Sequence, residues 1–373
     1  MKNITNTLKA LVAISIFLSF PSISYSQSSL IQWQKSLGGS STDFGRSVTT
    51  TNDGGYIMAG YSNSNDANVS GNHGGYDYWV VKTDAAGNIQ WQRSYGGSGD
   101  DHATAIIKAN DSGYIIAGYS NSNNGNVTGN HGNDDYWIVK IDLSGNIQWQ
   151  KSLGGNGWDW ARAIVPAYGG GYLVAGASNS NNGDVTGYHG GEDIWVVKLD
   201  NNGNLQWQKC LGGSNSEDGW SIVPSSDGGY IFACYSSSNN GDVTANQGIY
   251  DFWIVKTDAN ANIQWQKSLG GSGYDFAYSV INAVGGGYIV AGSAESGDGD
   301  FTGSHGGGDA WIIKFDNSGN VQWKKAYGGS AVDGTYAIVN TDNSGYIFAG
   351  STASNDGDVS GNHGSQDYWL VKI

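Results

Sequence analysis

Five histidines occupy one place in a recurring string. His73, His131, His189, His305 and His363 each precede an aspartate by four residues (Asp77, Asp135, Asp193, Asp309, Asp367), and a tryptophan follows two residues after each aspartate. An imidazole beside a carboxylate is the pairing that ligates a metal or relays a proton. The fourth copy of the string carries Gln247 in place of histidine. A glutamine can hydrogen-bond but is no general base, so the string reads as a clamp that fixes a loop.

A second column is acidic: Asp43, Asp101, Asp159, Glu217, Asp275 and Asp333. Around it the copies disagree, with Asp100 and His102 in one, then Trp158, Trp160 and Arg162, then Asp218 and Trp220, then Tyr274, Phe276 and Tyr278, then Tyr336. Rings interleaved with polar groups suit a ligand that has hydroxyls and apolar faces, such as a glycan. The candidate ligand-binding set is Asp101, His102, Trp158, Trp160, Arg162, Asp218, Trp220, Tyr274, Phe276 and Tyr336. A catalytic alternative takes Asp101 and Asp218 as the carboxylate pair of a glycoside hydrolase or lyase. Composition and spacing assign no acid or base, and no catalytic residue is named.

A third cluster is the run Ser178-Asn179-Ser180-Asn181-Asn182-Gly183-Asp184-Val185-Thr186 and its counterparts. Spaced Asn and Asp oxygens resemble calcium ligands, but the alternating acidic series and terminal glutamate of an EF-hand loop are missing. The favoured reading has these side chains bonding their own backbone in successive turns. Calcium is the alternative, and no other cofactor is expected.

All three clusters are held by one repeating unit. Trp33, Trp91, Trp149, Trp207, Trp265 and Trp323 recur every 58 residues, as do Trp79, Trp137, Trp195, Trp253, Trp311 and Trp369. Six copies with no linker between them imply one repeat domain over 27–373. Sixty glycines and three prolines in 373 residues suit short strands and tight turns. Within one unit the spacing predicts strands at 47–51, 56–62, 77–83 and 89–95. The middle two are nearly continuous apolar runs, such as Ile115-Ile116-Ala117 and Trp137-Ile138-Val139, which points to sheets buried on both faces. Four-stranded sheets packed face to face around an axis make a propeller.

The fold expected is therefore an all-β, six-bladed β-propeller of four-stranded blades. The segment 31–37 reads as a fourth strand and 368–373 as a third, so the N-terminal strand is expected to complete the last blade and close the ring. The recurring tryptophans are read as packing groups. Lys82, Lys140, Lys198, Lys256, Lys314 and Lys372 are read as structural, paired with the column Asp84, Asp142, Asp200, Asp258 and Asp316. Cys210 and Cys234 look like incidental substitutions rather than a disulfide framework.

The string VVKTDAAGNIQWQ at 80–92 resembles the aspartate, glycine and tryptophan pattern of pyrroloquinoline-quinone-type propeller repeats, and DGGYIMAG at 53–60 is similar to secreted bacterial propeller repeats. The resemblance covers all six copies and implies the propeller fold; the group it points to includes enzymes, assembly factors and binding proteins.

Residues 1–26 read as a signal peptide: Lys2 and Lys9, the apolar run Ala10 to Phe20, and Ser24-Tyr25-Ser26 before Gln27. Loss of Lys2 and Lys9 takes the formal charge from −15 to −17, a field that opposes nucleic acid and anionic lipid. The sequence thus predicts a secreted or periplasmic monomer without membrane insertion. Its expected role is non-enzymatic binding of a glycan or surface protein through the loop face, with a structural or adhesive module as a further alternative.

Overall fold

A computed structural model describes residues 32–342 and 345–373. The signal-peptide reading of 1–26 lies outside them. The chain forms two units, 1–35 and 36–373. The described part of the first, 32–35, contains no helix or strand.

The second unit holds six consecutive sheets. Blade one is β1 (Asp43–Thr50), β2 (Tyr56–Ser62), β3 (Asp77–Thr83) and β4 (Ile89–Tyr95), an antiparallel meander in chain order. Blades two to five repeat it with first strands β5 (Asp101–Lys108), β9 (Asp159–Pro166), β13 (Glu217–Pro224) and β17 (Asp275–Asn282). Blade six has three strands, β21 (Asp333–Asn340), β22 (Tyr346–Thr352) and β23 (Asp367–Lys372). The expected fourth strand at 31–37 is not shown: residues 32–37 are in no strand. A short 3-10 turn at Gly299–Phe301 is the one helical element among the described residues.

The core lies between blades rather than within them. The rear face of blade one, with Ile57, Tyr78 and Val80, meets the front face of blade two, with Ile106, Trp137 and Val139. The same pairing recurs down to blades five and six. Tyr78 donates its hydroxyl to the Trp137 carbonyl at 2.8 Å, and Tyr136 does the same to Trp195 at 2.9 Å. Third-strand tryptophans are interblade packing groups, and in blades one to four each is pinned by an indole N–H to a glutamine, as Trp137 to Gln150 at 2.7 Å and Trp195 to Gln208 at 2.7 Å. A buried donor needs that partner.

The structure corrects the lysine pairing. Lys82, Lys140 and Lys256 bridge to Asp53, Asp111 and Asp227 in the turn between first and second strands. The Asp84-type residues instead cap their own hairpins: Asp84 Oδ1 accepts the N–H groups of Ala86 and Asn88. A short carboxylate one residue past the strand bonds its own turn before it can reach a lysine. Cys210 and Cys234 are buried free thiols.

Candidate functional site

The first strands begin four residues earlier than the sequence pattern suggests, and each carries a bulge. In blade one Gly45 pairs Gly60 and Ser47 pairs Ala59, which leaves Arg46 unopposed. The same offset singles out Thr104, Arg162, Trp220, Tyr278 and Tyr336. A bulge inserts one residue, twists the strand and re-aims that side chain. The second strand makes room with glycine: a Cβ on Gly118 would lie 2.0 Å from the His102 carbonyl oxygen, and one on Gly176 1.9 Å from that of Trp160.

These side chains and their neighbours make one arc of contacts across all six blades. Phe44 leans on Tyr61, and Tyr61 stacks on His102 at 4.2 Å. His102 Nδ1 lies 2.8 Å from the Tyr119 hydroxyl, and Tyr119 reaches Trp160. Arg162 lies over Trp160 at 5.2 Å and over Trp220 at 4.8 Å. Trp220 meets Tyr278 edge-on at 5.1 Å, and Tyr278 meets Tyr336 at 5.2 Å. A branch joins Tyr235, Phe276, Tyr250 and Tyr274.

The arc has a buried charged centre and an open rim. Arg162 donates to Asp218 through Nη2 at 3.0 Å and Nε at 3.2 Å, with the Asp218 side chain 3% accessible. Burial raises the Asp218 carboxyl against the pull of Arg162, while Asp218 outweighs desolvation at Arg162 and holds the guanidinium charged. Burial lowers His102 and raises Glu192, which lies in the field of Asp218. Trp160 donates its indole N–H to Asp134 at 2.8 Å. At the rim Trp158 stacks parallel on Trp160 at 5.6 Å and is 45% exposed, Tyr274 is 40% exposed and Tyr336 56%. Ring faces thus meet solvent around polar groups that are already held in place.

Nine of the ten sequence candidates belong to this arc or its rim. Asp101 does not: it is fully buried, accepts from the Ser120 and Ser122 hydroxyls and from the Gly97 N–H, and is pushed up to about 6 by burial. Its column is a clamp repeated in every blade, as at Asp159 with Ser178, Ser180 and Gly155. Asp101 and Asp218 therefore sit in separate networks, each with its own partners. Sequence reasoning missed Phe44, Arg46, Tyr61, Tyr119, Tyr235 and Tyr250. The second-strand tyrosines were hidden because their strand read as uniformly apolar; the acidic residue four places after the double glycine, which starts every first strand, was the signal that would have placed the bulge.

The polar loops bond backbone, but that of the interblade loop 21 to 30 residues away rather than their own successive turns as expected. Asn124 Oδ1 accepts from Ser98 N–H at 2.7 Å, Asn121 Oδ1 from Asp100 N–H at 2.7 Å, and Asn126 Oδ1 from Gly96 N–H. These bonds tie the loop between second and third strands to the loop between blades, so both lie on one face. The His–Asp string closes the same face: His131 Nδ1 lies 2.7 Å from Asp135 Oδ2, which also accepts the His131 N–H at 2.8 Å. Gln247 keeps the main-chain bond to Asp251 but turns its side-chain amide to Asp300, donating to Oδ2 at 2.6 Å.

No family model matches the chain. A curated relative, the regulatory protein FlaEY of Caulobacter vibrioides, is 26% identical over 185 residues, 44% of this chain and 19% of its own. The chain thus spans about a fifth of that relative's length. Among solved structures, puromycin hydrolase aligns over 89% of this chain and 44% of its own, with TM-score 0.50 and 10% identity. The Pan2 WD40 domain of Neurospora crassa (TM-score 0.45, 10% identity, 82% of this chain and 85% of its own) and BamB of Moraxella catarrhalis (0.39, 13%, 82% of each) are also similar. At such identities the likeness speaks for the fold alone.

Proposed function

We propose that this protein is a non-enzymatic binding propeller, acting outside the cytoplasm, whose aromatic arc holds a carbohydrate. The observation that carries the reading is the rim itself: Trp158, Tyr274 and Tyr336 offer ring faces to solvent beside Trp160, Arg162 and Asp218. A sugar presents C–H faces to rings and hydroxyls to a carboxylate or guanidinium, and the arc supplies both in one run of contacts. Pre-positioned groups lower the ordering cost of binding. The six copies supply a scaffold, and their differences at the bulge supply the specificity: cationic in blades one and three, aromatic in blades four to six.

The test is glycan-array binding by the purified protein, in calcium and again in chelator, with Trp158→Ala and Tyr336→Ala alongside. Saturable binding to one glycan class, weakened about fivefold or more in either variant, is expected, each ring contributing about 1 kcal/mol or more. Binding unaffected by both substitutions, or a blank array in both buffers, refutes the assignment.

A further inference from the structure

The rings of the arc lie in an acidic field that its cations do not offset. Besides Asp218, four acidic residues border them. Asp100 stands two residues before His102 and accepts the Tyr76 N–H at 3.0 Å. Asp134 accepts the Trp160 indole N–H through Oδ2. The main chain of Glu192 accepts the Glu217 N–H at 2.7 Å, next to Asp218, and the main chain of Glu295 donates to the Tyr274 carbonyl at 2.9 Å. Among the described residues none of these four is in an ion pair. The cations are engaged already: Arg162 is held by Asp218, while Arg46 lies over the Tyr61 ring at 5.5 Å and donates to its hydroxyl. Burial lowers His102, so the imidazole adds no charge at neutral pH.

The acids are concentrated beside the blade-three tryptophans. The residue just before each third strand is, in blade order, Tyr76, Asp134, Glu192, Tyr250, Gly308 and Gln366. In blades one and four it adds a ring to the arc. In blades two and three it adds a carboxylate, one bonded to Trp160 and one in the field of Arg162 and Asp218. No described residue donates a hydrogen bond to the Glu192 carboxylate, and burial and the Asp218 charge both raise it, which leaves its ionised form short of a counter-charge. Among the described residues no three His, Cys, Asp or Glu side chains converge as metal ligands. Acids spread along ring faces suit instead a cation with an organic body, which gains from the carboxylates and from the ring quadrupoles together. The net charge of the chain, −15, pulls in the same direction.

We infer that the glycan taken by the arc is a cationic one, a saccharide with free protonated amino groups, its amines answering Asp134 and Glu192 and its C–H faces lying on Trp158 and Trp160. The inference rests on the carbohydrate reading above and adds the charge of the sugar. N-acetylation removes that charge and leaves the sugar ring and its hydroxyls in place, so it isolates the claim.

Isothermal titration calorimetry at about pH 6, where the sugar amines hold their protons, compares a glucosamine hexamer with its fully N-acetylated counterpart. The glucosamine hexamer is expected to bind about tenfold or more tightly, a margin that shrinks as salt is raised. Glu192→Gln and Asp134→Asn, both close in shape to the native residue, are each expected to cut the margin about threefold or more, with binding of the N-acetylated hexamer unchanged and no fall in melting temperature. Hexamers held alike, a preference for the acetylated one, or a preference that both variants leave intact overturns this inference and leaves the carbohydrate reading standing. So does a protein that takes another glycan from the array and neither hexamer. Binding to neither hexamer together with a blank array overturns both.

Discussion

Replacing Arg162 with leucine removes the cation from the centre of the aromatic arc and leaves Asp218 with no counter-charge. Asp218 is 2% exposed, and its remaining partner is the Tyr235 hydroxyl at 3.5 Å. Breaking a buried pair on one side costs about 3 to 5 kcal/mol, because the surviving charge keeps its desolvation penalty. The two ring contacts of the guanidinium add about 0.5 to 1 kcal/mol each. A loss of about 4 to 7 kcal/mol at pH 7.5 follows from those two terms. Part of it is recoverable. Asp218 is already raised by burial with Arg162 present, and without the cation it rises further. A carboxyl whose folded pKa exceeds its unfolded value destabilises the fold above the folded pKa and ceases to do so as pH falls toward the unfolded value. The deficit of Arg162→Leu is therefore smaller at pH 5 than at pH 7.5, and Arg162→Leu/Asp218→Leu is more stable than Arg162→Leu alone. Denaturant unfolding followed by tryptophan fluorescence measures all three. A single variant within about 1 kcal/mol of wild type at pH 7.5, or a double variant no better than the single one, refutes the account of the pair.

Burial pushes Asp101, Asp135, Asp193 and Asp251 up to about 6. Their folded values exceed the unfolded ones, so calorimetry is expected to show a melting temperature that rises between pH 7.5 and pH 5; a fall over that window contradicts it. Tyr136→Phe leaves the buried Trp195 carbonyl without its donor and costs about 1 to 3 kcal/mol, whereas the same change at the exposed Tyr368 costs nothing measurable. Gly118→Ala drives a methyl into the His102 carbonyl oxygen and undoes the bulge; an unchanged melting temperature shows that the bulge is not what requires glycine. Trp158→Ala, at the open rim, changes stability by less than about 0.5 kcal/mol, so any loss of ligand in that variant is a loss of contact.

Periodicity carried the architecture. Tryptophans at a fixed spacing and paired apolar strands require each sheet to be covered on both faces, and that requirement is met blade on blade. The loop network was legible only in part: Asn-rich turns pointed to side chains bonding backbone, but Asn121, Asn124 and Asn126 bond N–H groups 21 to 30 residues away in the interblade loop, a pairing set by the tertiary fold. The Lys82-type pairs were misread because linear proximity favoured Asp84, whereas antiparallel pairing of β2 with β3 sets Ile57 opposite Lys82 and so brings Asp53 to it.

The sequence by itself determined six copies, their strands and the variable aromatic positions, because side-chain period and turn chemistry are local properties. Only the tertiary structure decided which of those positions act together. A bulge displaces one residue by the width of a strand face, so Arg162 comes to lie over Trp220, 58 residues away, and to bridge Asp218, while Asp101, one residue before His102, turns into the interblade clamp.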